Sequence, residues 1–179
     1  VTWVQELNTA CAAAGVACID APVAGSRPQA ETAQLIYFVG GDVSTVTKAE
    51  PILKTMSAAV HHVGSVGSGA ALKLAINSLF GVQVAVIAEL IGLLRRCGLD
   101  VAKAIEIITA TPVCSPAVKA AANAMLTGNF APLFPLELVV KDFSYALDMA
   151  ITHDAQAPLT QAAARVFATA IAQGYATDN

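Results

Sequence analysis

The stretch from Gly64 to Asn77 reads Gly-Ser-Val-Gly-Ser-Gly-Ala-Ala-Leu-Lys-Leu-Ala-Ile-Asn. A glycine turn opens directly onto an apolar helix. Lys73 falls in the first turns of that helix, and Asn77 stands four residues later on the same face. The positive end of a helix dipole favours anions and disfavours an ammonium group. A lysine placed there among Ala, Leu and Ile is expected to lose some preference for its charged form, which suits a general acid/base at neutral pH. The glycines leave room for an anion to approach backbone N–H groups. The plain alternative is a surface lysine snorkelling from a helix end.

Outward from this stretch the chain divides into two unlike parts. Before it, β-type runs at residues 16–21, 35–39 and 59–63 alternate with helical segments. The first of these segments covers 1–14 and stops at Gly15, and Asp42 caps another through Met56, with Pro51 inside it. After Gly67 the strand signals end. A long helix is predicted from Gly69 to Cys97, stopped by Gly98. Four more follow: from Asp100, from Ser115-Pro116 to Gly128, from Pro135, and from Pro158 to Gly174. The expectation is therefore an α/β part over 1–66 and an all-α part over 67–179, built on one long buried helix.

Apolar residues make up 56% of the 179, charged residues only 13%, and the net charge is −3. The mean hydropathy of +0.63 is high for a soluble monomer. The longest uncharged apolar segment, between Lys73 and Glu89, is shorter than the roughly 18 residues of a spanning helix. No basic-then-apolar leader opens the chain, so no signal peptide is expected. We read a protein that hides apolar surface in an oligomer. The long helix is hydrophobic on nearly every face, which calls for burial on all sides and makes a second subunit its natural cover. Scattered charges with no basic stripe argue against nucleic acid.

Cys11, Cys18, Cys97 and Cys114 show no metal-ligand spacing and read as small buried hydrophobes in a reducing, cytoplasmic setting. Adjacent His61 and His62 would point to opposite faces of a strand, so no metal site is expected.

Three segments together resemble the β-hydroxyacid dehydrogenases, a family that includes 3-hydroxyisobutyrate dehydrogenase and, more distantly, 6-phosphogluconate dehydrogenase. They are Asp20-Ala21-Pro22-Val23-Ala24-Gly25, the Gly-x-x-Gly-x-Gly-x-x-x-Lys-x-x-x-Asn run ending at Asn77, and Lys141-Asp142 followed by Ala146. Gly25-Ser26-x-Pro28-x-Ala30-Glu31 looks closest to the glyoxylate/succinic semialdehyde reductase branch. The resemblance implies the end of a Rossmann-type domain followed by an all-α domain like the C-terminal one of 6-phosphogluconate dehydrogenase. It also implies an NADP- or NAD-dependent reductase of a small carboxylate substrate, working as a homodimer or homotetramer through the long helix.

Site roles follow from the resemblance. Lys73 matches the catalytic lysine, Asn77 the asparagine that holds substrate and orients it, and Asp142 their acidic partner. Lys141 matches a lysine that reaches the cofactor, joined at the glycine turn by Gly67 and Gly69. Ala24, Gly25, Ser26 and Phe134 match substrate-binding positions. An intact Lys73 speaks against the related imine reductases, where that lysine is typically replaced.

Two departures stand out. The family usually carries serine where this chain has Ala24, removing a hydrogen bond worth on the order of 1 kcal/mol. The Gly-x-Gly-x-x-Gly turn that seats a pyrophosphate does not precede residue 16, so the chain reads as a fragment lacking the main cofactor site, inactive by itself. The competing reading is a non-catalytic dimerisation or interaction module that keeps the dehydrogenase fold.

Overall fold

The computed structural model describes all residues, 1–179. In chain order the elements are helix α1 (Thr2–Ala13), strands β1 (Ile19–Asp20) and β2 (Val23–Ala24), and helix α2 (Arg27–Glu31). They continue with β3 (Leu35–Gly41), α3 (Val43–Leu53), a 3-10 turn (Lys54–Met56) and β4 (Ser57–Gly64). Thereafter the chain is helical: α4 (Ser68–Arg96), α5 (Val101–Thr109), α6 (Pro116–Thr127), α7 (Leu136–Thr152) and α8 (Pro158–Ala172). Contacts divide the chain into two compact units, one of Val1–Ile76 with Asp148–Ala155, the other of Asn77–Leu147 with Gln156–Asn179.

In the first unit β3 is the central strand. It pairs antiparallel with β1 and β2 along one edge and parallel with β4 along the other. The parallel step is what α3 makes possible, since a crossover needs a dozen or more residues and usually a helix. Asp42 starts that helix by accepting from the N–H groups of Ser44 and Thr45 at 3.0 and 3.4 Å. Pro51 sits within α3, which then tightens into the 3-10 turn instead of continuing as α-helix to Met56. The run expected as one strand over 16–21 is shorter than its apolar pattern and shares its edge of β3 with β2, because Pro22 interrupts pairing between them.

One contact explains how α4 begins. The buried carboxylate of Asp20, at the end of β1, accepts from the N–H groups of Gly67 and Ala70, both at 2.7 Å. A Cβ on Gly69 would run into the carbonyl of Phe38 and lie 2.8 Å from Asp20 Oδ2. The first turn of α4 therefore lies directly on β3, and glycine is what permits the approach.

The second unit holds two apolar clusters. Ile87 and Ile91 of α4 pack with Ile105 and Ala122, while Val139 and Phe143 of α7 pack with Ala163 and Phe167 of α8. Phe143 and Phe167 meet edge to face at 5.6 Å and 75°. Ser115 caps α6 through the Val118 N–H at 3.2 Å, with Pro116 at the first helical position and Gly128 left-handed at its end. The N–H groups of Leu136 and Glu137, at the start of α7, donate to the carbonyls of Asp178 and Ala176 at 2.9 and 3.1 Å.

Within this chain the long helix is not covered on all sides. Leu79, Val86 and Leu93, spaced seven apart, are 60%, 51% and 52% exposed. α4 is also long and apolar enough to cross a membrane, which the uncharged segment counted above was not. α4 reaches that length by taking in charged residues such as Lys73 and Glu89, and the core helix of a soluble protein can be equally long and apolar. Ile87 and Ile91, buried against α5 and α6, give α4 its place as a core helix here.

Candidate active site

Asn77 and Asp142 are 65 residues apart in sequence and hydrogen-bonded in the structure. The Asn77 Nδ2 donates to Asp142 Oδ2 at 2.6 Å. Asn77 is buried, and the Asp142 side chain is 13% exposed. The second carboxylate oxygen, Oδ1, lies 3.2 Å from the Lys141 ammonium. Lys141 is half exposed, and its Nζ is 5.9 Å from the centre of the Tyr145 ring, at the outer range of a cation–π contact. Asp142 thus bridges a buried amide and an accessible cation, one oxygen to each. Its place one residue from Phe143, the most deeply buried side chain of α7, fixes which way the carboxylate faces.

Lys73 stands one helical turn before Asn77 on α4 and is half buried. The helix N-terminus just before it carries an anion, as the dipole requires, but that anion is Asp20. The backbone donors expected to receive a ligand are thus occupied by the fold at Gly67 and Ala70. Sequence reasoning missed Asp20 in this role, because a carboxylate 47 residues from its partner leaves no local signal.

The loop at Ala24, Gly25 and Ser26 joins β2 to α2. Gln29 Oε1 accepts from the Ser26 N–H at 2.9 Å, half of a capping box. Ser-x-x-Gln is a readable signal that the sequence analysis passed over, and with it α2. Phe134 lies elsewhere in its unit. With Phe80, Met125, Phe130, Leu136 and Phe167 it lines a small apolar cavity of about 50 Å³ whose walls include neither Asn77 nor Asp142. Asn179 Oδ1 accepts from the N–H groups of Leu133 and Phe134 at 3.2 and 2.7 Å, holding that loop in place. Tyr145 was not singled out from the sequence, although an aromatic four residues after Lys141 is a readable helical pair.

The four cysteines are free, but the expectation that they are buried fails: Cys97 is exposed and the other three are half buried. Burial raises the Cys18 thiol pKa, helped by the neighbouring Cys11 and Asp20.

Residues 67–179 match the family described as NAD-binding of NADP-dependent 3-hydroxyisobutyrate dehydrogenase, and residues 1–64 match the NAD binding domain of 6-phosphogluconate dehydrogenase. A probable 3-hydroxyisobutyrate dehydrogenase of Mycobacterium tuberculosis is 33% identical, the match covering 94% of this chain and 60% of that protein. Glyoxylate/succinic semialdehyde reductase 2 of Arabidopsis thaliana is 32% identical over 92% of this chain and 46% of its own length. The solved structure of Mycobacterium tuberculosis 3-hydroxyisobutyrate dehydrogenase with L-serine superposes with a TM-score of 0.85 at 32% identity, covering 99% of this chain and 63% of that one. The chain thus spans about half to three-fifths of the curated relatives it matches. A sheet at the end of a Rossmann-type domain, followed by helices built on one long helix, is the fold these relatives share. The chain belongs to the β-hydroxyacid dehydrogenase family.

Proposed function

We propose that this chain carries the substrate and proton-transfer half of an NAD(P)-dependent reductase that interconverts a small hydroxyacid and its semialdehyde or keto acid. The observation that carries the reading is the Asn77–Asp142 hydrogen bond, joining two of the residues that the family resemblance pairs with Lys73. The neutral Asn77 amide offers substrate a hydrogen bond while its other end is held by Asp142. Lys73 supplies the proton to the carbonyl oxygen during reduction and recovers it during oxidation. Gly25 and Ser26 hold the substrate carboxylate. The Ser26 hydroxyl partly covers for the serine that Ala24 replaces, and Phe134 supplies an apolar wall.

A nicotinamide, when bound, would supply or take the hydride. The half-exposed Lys141 ammonium fits a cofactor phosphate, a cation set beside carboxylate and ring and still open to water. Gly67 and Gly69 belong to the proposed cofactor wall as residues without a Cβ. Gly67 does not act there as an N–H donor, since that N–H belongs to Asp20. The proposed division of labour is residues 1–66 for the nucleotide-binding part and 67–179 for the catalytic and dimerisation part, acting in the cytoplasm. The exposed Leu79, Val86 and Leu93 support a second copy of the chain against α4, and a monomeric mass by light scattering would overturn that.

The test is NADPH- and NADH-dependent reduction of glyoxylate and succinic semialdehyde by the polypeptide that contains this chain. Replacing Lys73 by Ala is expected to lower kcat by at least about 100-fold. An unchanged kcat removes Lys73 from the chemistry. A second reading, a non-catalytic interaction module, draws on Ala24 and on a relative named for another role, the cytokine-like nuclear factor N-PAC of Aedes aegypti, 30% identical over 88% of this chain. Absence of turnover and of NADPH binding in a folded protein would favour it.

A further inference from the structure

On the side of α4 away from the Asn77–Asp142 contact, the helices of the second unit leave a space unfilled. Val86 stands nine residues after Asn77, about two and a half helical turns, so the two project from opposite faces. Val82, Val86 and Leu90 of α4, Ile108 of α5 and Val118 of α6 line a cavity of about 380 Å³ there. An aliphatic cavity of about 150 Å³ can hold benzene, so this one has room for roughly a dozen non-hydrogen atoms. Its wall includes Ile87, which belongs with Ile105 and Ala122 to a buried cluster, so core packing fixes its shape. Val113, 90% exposed, leaves the space open to solvent on one side.

One polar group is built into this wall. The Ser115 hydroxyl accepts from the Val118 N–H at 3.2 Å as it caps α6, and its single proton goes to Gln83 Oε1 at 2.5 Å. That bond fixes which end of the Gln83 amide is oxygen and leaves its N–H donors without a partner in the chain. No charged side chain lines the cavity. A carboxylate entering it would lose hydration with no cation to replace it, whereas a neutral carbonyl needs only a donor. We propose that the cavity is a second ligand site, for a neutral apolar molecule of about a dozen non-hydrogen atoms whose carbonyl oxygen accepts from the Gln83 amide. The Leu79, Val86 and Leu93 stripe of a second copy is aliphatic and offers Gln83 no acceptor, which favours a small molecule as the occupant. The inference does not depend on the proposed dehydrogenase activity.

The experiment is titration of the methyl-labelled polypeptide that contains this chain, followed by NMR, with three probes of similar size. Benzylacetone carries a neutral carbonyl, hydrocinnamate a carboxylate and butylbenzene neither. Benzylacetone should shift the methyl signals of Val82, Ile87, Ile108 and Val118 saturably and bind about threefold to tenfold more tightly than butylbenzene, the worth of one hydrogen bond. Hydrocinnamate should bind most weakly. In the Gln83→Leu variant butylbenzene should still bind, and benzylacetone should lose its advantage over it. A second readout is maleimide labelling: Cys114 lines the cavity and should react more slowly with benzylacetone present, while the exposed Cys97 should be unaffected. Equal binding of benzylacetone and butylbenzene to the parent protein, or a preference for hydrocinnamate, would overturn the proposal. So would methyl signals that ignore all three probes and move on protein dilution, which would give the cavity to a second copy of the chain.

Discussion

Asp20 and Asp142 are both sheltered carboxylates that tie distant pieces of chain together, and they do so in opposite ways. Asp20 accepts from two backbone N–H groups, Gly67 and Ala70, that cannot move without unwinding α4. Asp142 accepts from two side chains, Asn77 and Lys141, and one of these is half exposed. A carboxylate saturated by backbone is architecture. One shared between side chains can exchange partners when a ligand arrives, and the proposed chemistry sits around that one.

The contrast can be broken by mutation. Asp20→Ala leaves two N–H groups without their acceptor beneath a tightly packed helix turn, at a cost of about 3 kcal/mol or more. Urea denaturation should show this as a large drop in midpoint. Asp142→Ala releases Lys141 to water and strips the buried Asn77 of one partner, costing about 1–2 kcal/mol. Its effect on turnover should far exceed its effect on stability. If Asp142→Ala destabilises as much as Asp20→Ala and leaves kcat intact, the distinction between the two carboxylates fails.

A third carboxylate, the fully exposed Asp42, sharpens the scale at its lower end. Hydrogen bonds from the Ser44 hydroxyl, Ser44 N–H and Thr45 N–H hold its pKa below the usual carboxylate range. A lowered folded-state pKa contributes stability above the unfolded value, and that stability disappears as pH falls through the folded one. Asp42→Ala should therefore lower Tm slightly at neutral pH, with the difference from the parent closing in acid. A difference that stays constant from neutral pH into acid would mean the carboxylate charge is not what caps α3.

Much of the fold was legible because its signals are local. Asp42, Asp100, Ser115-Pro116 and Gly128 mark helix ends within a few residues of where they occur. The short strands β1 and β2 were harder, since each exists only by pairing with β3 around Pro22. At the site, Lys73 and Asn77 share a helical face by spacing alone, whereas Asp142 was joined to them by resemblance to a family. Asp20 was invisible as a cap for the same reason that Asn77–Asp142 could not be derived: both contacts cross long stretches of chain.

The Asp20 clamp also bears on the order in which the chain acquires its structure. Its two bonds span 47 and 50 residues and need β1 already paired with β3 before the carboxylate is in position. Loop closure on that scale comes after local helix formation, so the body of α4 can form early while its first turn waits for the sheet. Mutations at Asp20 should then speed unfolding and leave the folding rate nearly untouched, a φ-value near zero. The Lys73 turn, three residues beyond the last of those bonds, would be among the last parts of the helix to become ordered.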